Sequence, residues 1–317
     1  LDPGAGEDRG VRRSPFASVP TSPRWGRRRL TDVIEIEDLP ELHDPVMICA
    51  FEGWNDAGEA ASRVIEHLAD IWDAETVAAI DPEDYYDFQV TRPRVTNQGM
   101  GRGIHWNTTR ILLASPDSLG RDVLLVTGIE PSFRWRAFTT EILDLAAANG
   151  VGTVITLGAL LADVAHTRPI PITCSTDDEA TAYTYELEPS RYEGPTGITG
   201  VVADGATQAE MVSVAVWAAV PHYAAQVPCP KASLALLIQL EDLLDTVIEH
   251  GDLEEESRAW ERGVDELAST DEEVAEYVSA LESAQDTSEL PEASGDAIAK
   301  EFERYLRRRG DETNGPS

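Results

Sequence analysis

The chain has 317 residues, 42% of them hydrophobic, and 58 acidic against 25 basic side chains give it a formal charge of −33. That is ample material for a core, in one large domain or two small ones. A nucleic-acid surface would need a basic footprint that this balance lacks, and no apolar run is long enough to span a bilayer, so neither partner is expected. Residues 1–30 contain seven arginines, several prolines and glycines and no periodic apolar pattern, and read as a disordered extension. The opening Leu1 suggests a fragment or an extension upstream of the natural start, and no signal-peptide pattern opens the chain. Strand-like and helix-like patterns then alternate. Residues 45–51 read as a buried strand, after which Ala61, Val64, Ile65, Leu68 and Ile71 recur at helical spacing. Residues 76–80 are short and β-like, and 81–103, polar and glycine-rich, read as a long loop. Residues 104–115 and 122–129 read as strands, 136–149 as a helix stopped at Gly150, and 151–160 as a further buried strand. A helix over 197–208, a last strand over 212–219 and an amphipathic helix over 233–248 complete the pattern.

This alternation predicts an α/β domain over 31–248, with a largely parallel sheet flanked by helices. Beyond it the apolar strands stop, and residues 241–317 carry 24 acidic and 7 basic side chains. They predict an acidic C-terminal helical appendage over 249–310, drawn from helices within 252–285 and 294–309, and a flexible tail at 311–317. The acidity itself reads as solvated surface before it reads as a docking site. The three cysteines, Cys49, Cys174 and Cys229, are odd in number and far apart. They suit a reducing compartment, and the expected location is cytoplasmic.

Where the first strand hands over to a helix the sequence reads FEGWNDAGEAA, residues 51–61. Asp56 followed three residues later by Glu59 has the pattern of a capping box. A helix N-terminus also attracts phosphate, but Glu52, Asp56 and Glu59 already bring negative charge to this one. Trp54 is what a cap does not explain, and a large aromatic in an exposed turn suits a contact anchor. Three more polar loops follow strands: Glu130 to Arg136, Asp163 to Pro169, and Pro221 to Tyr223. Ligands gather at the carboxyl edge of open α/β sheets. The predicted binding edge therefore comprises Glu52, Trp54, Asn55, Asp56, Glu130, Trp135, Arg136, His166, Arg168, His222 and Tyr223, with Gly194 and Thr196 of the glycine-rich GPTGITG turn. Arg136 can pair with Glu130, and Asp163 can orient His166.

Enzyme signatures are sparse. No G-x-x-x-x-G-K-[ST] loop, no G-x-S-x-G elbow, no H-E-x-x-H and no C-x-x-C is present, and the only lysines are Lys231 and Lys300. No catalytic residue, metal or cofactor is assigned.

FEGWNDAGEAA, EPSFRWRAF, LGALLADVAHTRP, SRYEGPTGITG and WAAVPHYAA followed by PCPKASLALL, in this order, resemble the proteasome assembly chaperone 2 family in its actinobacterial branch, over about residues 33–285. The resemblance implies a phosphorylase/hydrolase-like α/β fold and a cytoplasmic protein that associates with itself or with partners, proteasome subunits among them. Family members that dock on proteasomes often end in a hydrophobic–tyrosine–any-residue tail, whereas this chain ends Asn314-Gly315-Pro316-Ser317 and Tyr305 is followed by twelve residues. Capture by folded surface is therefore expected rather than capture by the tail. The resulting expectation is a non-enzymatic, chaperone-like or scaffolding protein. The alternative is an enzyme of phosphorylase/hydrolase-like or ATP-grasp ligase-like activity working at the loop edge, and the apolar faces of the acidic helices suggest a homo-oligomer.

Overall fold

In the computed structural model, residues 34–36, 39–98, 101–184, 187–190, 192–224 and 228–289 are described. The expectations for residues 1–30, for a helix within 294–309 and for the tail at 311–317 lie outside these residues. In chain order the elements are β1 (Ile34–Ile36), β2 (Val46–Glu52), α1 (Ala60–Ile71), β3 (Glu75–Ile80), β4 (Arg94–Gln98), β5 (Gly101–His105), β6 (Arg110–Ala114), β7 (Val123–Ile129) and α2 (Trp135–Ala148). Then come β8 (Thr153–Ala162), β9 (Ile172–Thr176), α3 (Glu179–Thr184), β10 (Glu188–Pro189), α4 (Ile198–Gln208), β11 (Val212–Pro221), α5 (Pro230–Leu244), α6 (Leu253–Ser269) and α7 (Glu272–Glu289).

The most apolar strands make the centre of a nine-stranded sheet ordered β1-β3-β6-β7-β2-β8-β11-β9-β10. The four central strands β7, β2, β8 and β11 run parallel, as the alternation predicts. Toward the flanks the pairings β6–β7, β3–β6, β1–β3 and β11–β9 are antiparallel. A strand covered on both faces must be apolar at both parities, and β2 is. Val46, Ile48 and Ala50 join one core with α1, α5 and α6, through Val64, Leu68, Leu236, Leu240 and Trp260. Met47, Cys49 and Phe51 join a second core under α2 and α4, with Phe138, Ile142 and Val202. Ring pairs Phe51–Phe138 and Tyr85–Phe138, edge to face at 5.8 and 5.3 Å, extend the second core toward the carboxyl end of the sheet.

Two readings need correction. Residues 81–103 are not one long loop, because β4 and β5 form a separate two-stranded hairpin. The only large apolar residues of its strands, Val95 and Ile104, stand exposed on one face with no core behind them, so the sustained hydrophobic alternation that marks a buried strand is missing. Residues 104–115 are not one strand either. The chain breaks after His105 and resumes at Arg110, where the Ile80 amide donates to the Thr109 carbonyl at 2.9 Å and the Thr108 hydroxyl donates to the Ile80 carbonyl. β9 has no counterpart in the sequence reading; it is short and held by its antiparallel register on β11.

The C-terminal helices α6 and α7 are strongly acidic, yet α6 is embedded. Leu253, Trp260 and Val264 belong to the first core and are at most 8% exposed. The apolar stripe expected to serve self-association is thus consumed within the chain. No described helix is long and apolar enough to cross a membrane.

Candidate functional site

The turn after β2 is built by two departures from ordinary backbone. Gly53 has φ +119°, and Gly58 and Glu59 follow in the left-handed region at +65° and +51°. A Cβ on Gly58 would lie 2.8 Å from that of Cys229, so the turn also sets the close approach of α5. Asp56, nearly buried, caps α1 at longer range than a capping box: its Oδ1 accepts from the amides of Ala61 at 2.7 Å and Ser62 at 3.3 Å. The reciprocal half does not form; Glu59 is exposed and itself occupies the N-cap position without a side-chain bond. Burial pushes the Asp56 carboxyl up from its ordinary value, against the lowering effect of its bonds to Ser62 and Ala61. Partial desolvation, reinforced by Glu66, Asp56 and Glu59, likewise raises Glu52, with Arg110 opposing.

Asn55 and Glu130 tie three loops together. Asn55 is 1% exposed; its carbonyl accepts from the Ala159 amide at 2.8 Å, and its Nδ2 donates to Glu130 Oε1 at 2.8 Å. The same Oε1 accepts from the Ile198 amide at 2.9 Å, and the Glu130 amide donates to the Glu52 carbonyl at 2.9 Å. A Cβ at Gly197 would sit 2.1 Å from Asn55 Nδ2, so only glycine lets the start of α4 close on this pair. The positive end of α4, where an added anion would bind, thereby holds the carboxylate of Glu130. Gly194 and Thr196 lie exposed on the turn that delivers it. Trp135 folds onto its own loop, its Nε1 donating to the Pro131 carbonyl at 2.6 Å. Among the described residues Arg136, exposed, does not pair with Glu130. Arg134 is the paired arginine here, with Asp84 at 3.0 Å and over the Tyr85 ring.

The remaining predicted residues do come together, but not with this group. His166 is 1% exposed, its Nδ1 within 2.8 Å of the Tyr223 hydroxyl and its Nε2 3.0 Å from Asp265 of α6. Lys231 donates to the His166 carbonyl and to Glu261 of α6, at 2.5 and 2.6 Å. Arg168 makes a two-pronged bond to Asp286 of α7 at 2.7 and 2.8 Å, and Thr167 donates to Glu282. Asp163 does not orient His166; it receives the Tyr277 hydroxyl of α7 at 3.0 Å and faces His222 at 3.3 Å. Rings of His166, Trp260, Tyr223, His222 and Tyr277 meet edge to face through the middle of this set. A single four-loop site is therefore corrected to two clusters: an edge around Asn55 and Glu130, and a clamp that seats α6 and α7.

Besides polar groups such as Glu52 and Arg136, the first cluster leaves four large apolar side chains exposed. Trp54 is 65% exposed, Phe133 51%, Leu160 46% and Leu161 53%, and they stand at the carboxyl ends of β2, β7 and β8, which are neighbours in the sheet. Phe133, Leu160 and Leu161 were not among the predicted residues. The available signal is length: β8 runs ten residues but pairs with β2 only through Thr156, so its apolar end overshoots. Among the described residues no group of three or more His, Cys, Asp or Glu side chains is gathered as a metal ion would need.

A family model described as the PAC2 family matches residues 50–268. Among solved structures, the chain is similar to a PAC2 family protein from Streptomyces avermitilis, 54% identical over 74% of this chain and 100% of that one, with TM-score 0.71. It is also similar to the proteasome-assembly chaperone homologue of Mycobacterium tuberculosis, 46% identical over 74% and 99% of the two chains, with TM-score 0.67. PbaB of Pyrococcus furiosus, an archaeal proteasome activator, shares the fold at 17% identity, covering 74% and 97%, with TM-score 0.60. No curated protein matches the chain.

Proposed function

The chain belongs to the PAC2 family, and from that premise we propose that it is a non-enzymatic, chaperone-like protein whose exposed strand-end edge contacts proteasome subunits. The observation that carries this reading is how the edge divides its side chains. Its two most enclosed carboxylates are spent on internal bonds: Glu130 on Asn55 and Ile198, Asp56 on the first turn of α1. Beside the exposed Glu52 and Arg136, the edge leaves two aromatic side chains, Trp54 and Phe133, and the aliphatic Leu160 and Leu161 in solvent. Buried aromatic anchors carry much of the energy of protein interfaces. The description of the M. tuberculosis relative as a proteasome-assembly chaperone homologue supports the same class of partner. In this reading the α/β unit over 31–248 bears the contact edge, and the helical region over 249–310 braces it from the clamp. Three unpaired cysteines accord with a cytoplasmic setting.

The test is direct binding of purified proteasome α-subunits to the full chain and to Trp54→Ala. The wild type should bind, and the variant should bind about 1–3 kcal/mol more weakly with its fold intact. Absence of binding by the wild type, or equal binding by both proteins, overturns the proposal.

A further inference from the structure

The polar frame around the exposed apolar row at the strand ends is not uniform. Those ends lie between two helical layers, α1 with α5 and α6 on one face of the sheet and α2 with α4 on the other. Toward α1 the frame is acidic. By the alternation of β2, Glu52 follows Val46, Ile48 and Ala50 onto that face, and it is exposed. Glu59 at the head of α1 and Glu66, two turns on, continue the row; both are exposed and neither forms an ion pair among the described residues. Arg63, which stands between them, is turned to Glu256 of α6. Partial desolvation, and after it the charges of Glu66, Asp56 and Glu59, raise the Glu52 carboxyl, with Arg110 opposing, so the row meets its own repulsion. Toward α2 the frame is basic. Arg134 and Arg136 flank Trp135 beside Phe133; Arg134 is spent on Asp84, whereas Arg136 is exposed and forms no ion pair among the described residues. Acidic side chains outnumber basic ones 58 to 25 in this chain. Carboxylates are plentiful for any arginine, and one left without a carboxylate at the contact edge is available to another molecule.

Resting on the proteasome-contact reading of this edge, we propose that the edge is polarised and takes its partner in one direction only. The α-subunit segment that it receives carries an apolar side chain against Trp54 and Phe133, a carboxylate for Arg136, and a lysine or arginine for Glu52 and Glu59. Aromatic residues and arginine are the side chains that most often dominate interface energetics. Rim ion pairs are each worth little in affinity, yet complementary charge speeds encounter and fixes register. A segment lying the opposite way sets a carboxylate against Glu52 and a cation against Arg136, and that repulsion selects against it. A uniformly acidic surface, which the net charge of −33 alone would give, attracts a basic partner without orienting it.

Association kinetics of purified proteasome α-subunits with the full chain test this, with thermal melting to confirm that each variant is folded. Arg136→Glu, and Glu52→Lys with Glu59→Lys, should each slow association about tenfold at low salt, and raising the salt from about 50 to about 500 mM should remove most of that difference. Glu52→Gln with Glu59→Gln, which removes charge without reversing it, should give a smaller loss and carries the test if the lysine variant is unstable. Trp54→Ala should act on the dissociation rate instead. Arg262→Glu on α6, and Glu272→Lys with Glu273→Lys on α7, make the same changes in net charge at exposed positions away from the edge and should associate as the wild type does. Equal slowing by edge and distant variants means that net charge alone acts, and overturns the proposal. Edge charge variants that bind as the wild type does, with Trp54→Ala still weakened, overturn the polarity and leave the contact edge standing. No binding by the wild type overturns both.

Discussion

The Trp54 edge and the His166 clamp begin from the same kind of material. Each is a set of polar loops after parallel strands, and each combines carboxylates, an aromatic and a cation. At the edge, the carboxylates of Asp56 and Glu130 turn inward to close backbone amides, and Trp54 remains in water. At the clamp, the polar groups reach outward and find α6 and α7, so a histidine at a sheet edge becomes 1% exposed structural joinery. Residue type at a strand end therefore says little about chemistry until it is known what packs above it. A buried imidazole with both ring nitrogens engaged has no lone pair free for a substrate.

The comparison breaks most sharply at Trp260, the side chain that joins α6 to the core. Trp260→Ala should cost about 3–5 kcal/mol in urea unfolding, as large buried aromatics do. A loss below about 1 kcal/mol would mean that the clamp does not hold α6 against the domain. At the edge, Glu130→Ala removes one acceptor from both Asn55 and the Ile198 amide, and should cost about 1–3 kcal/mol. Glu130→Gln keeps an acceptor oxygen and should cost less, and equal losses for the two would refute the acceptor role.

Asp56 offers a smaller, pH-dependent contrast. Its carboxyl is raised above the ordinary 3.8, chiefly by burial, so the folded chain keeps this proton to higher pH than the unfolded chain does. From 3.8 up to the raised value the folded state binds more protons, and this group's contribution to stability falls as pH rises. Asp56→Asn keeps an acceptor for the Ala61 amide but cannot titrate. The difference in unfolding free energy between wild type and variant should therefore shift toward the variant as pH rises through that window, and a pH-independent difference would contradict the assignment. Trp54→Ala should have the smallest effect on folding, within about 0.5 kcal/mol, as expected for an exposed side chain. A larger loss would place Trp54 in the fold and not on a contact surface.

The sequence by itself determined the parallel centre of the sheet, α1, α2 and the acid-rich helices after residue 248. Each rests on a short-range pattern: runs such as VMICAF and VLLVTGI leave no charge to expose, and helical spacing over residues 61–71 admits one buried face. The ordered motifs also sufficed for the family. It was the tertiary structure that decided the hairpin, β9 and the partition of the loops. The hairpin has no buried face to write a period into its residues, and β9 exists because β11 offers it an edge. The partition depended on partners distant in sequence: Asp265 lies 99 residues from His166, Ile198 lies 68 from Glu130, and Asp286 lies 118 from Arg168. A hydrogen bond is specified by where two groups end up in space, and at such separations only the packed cores bring them there.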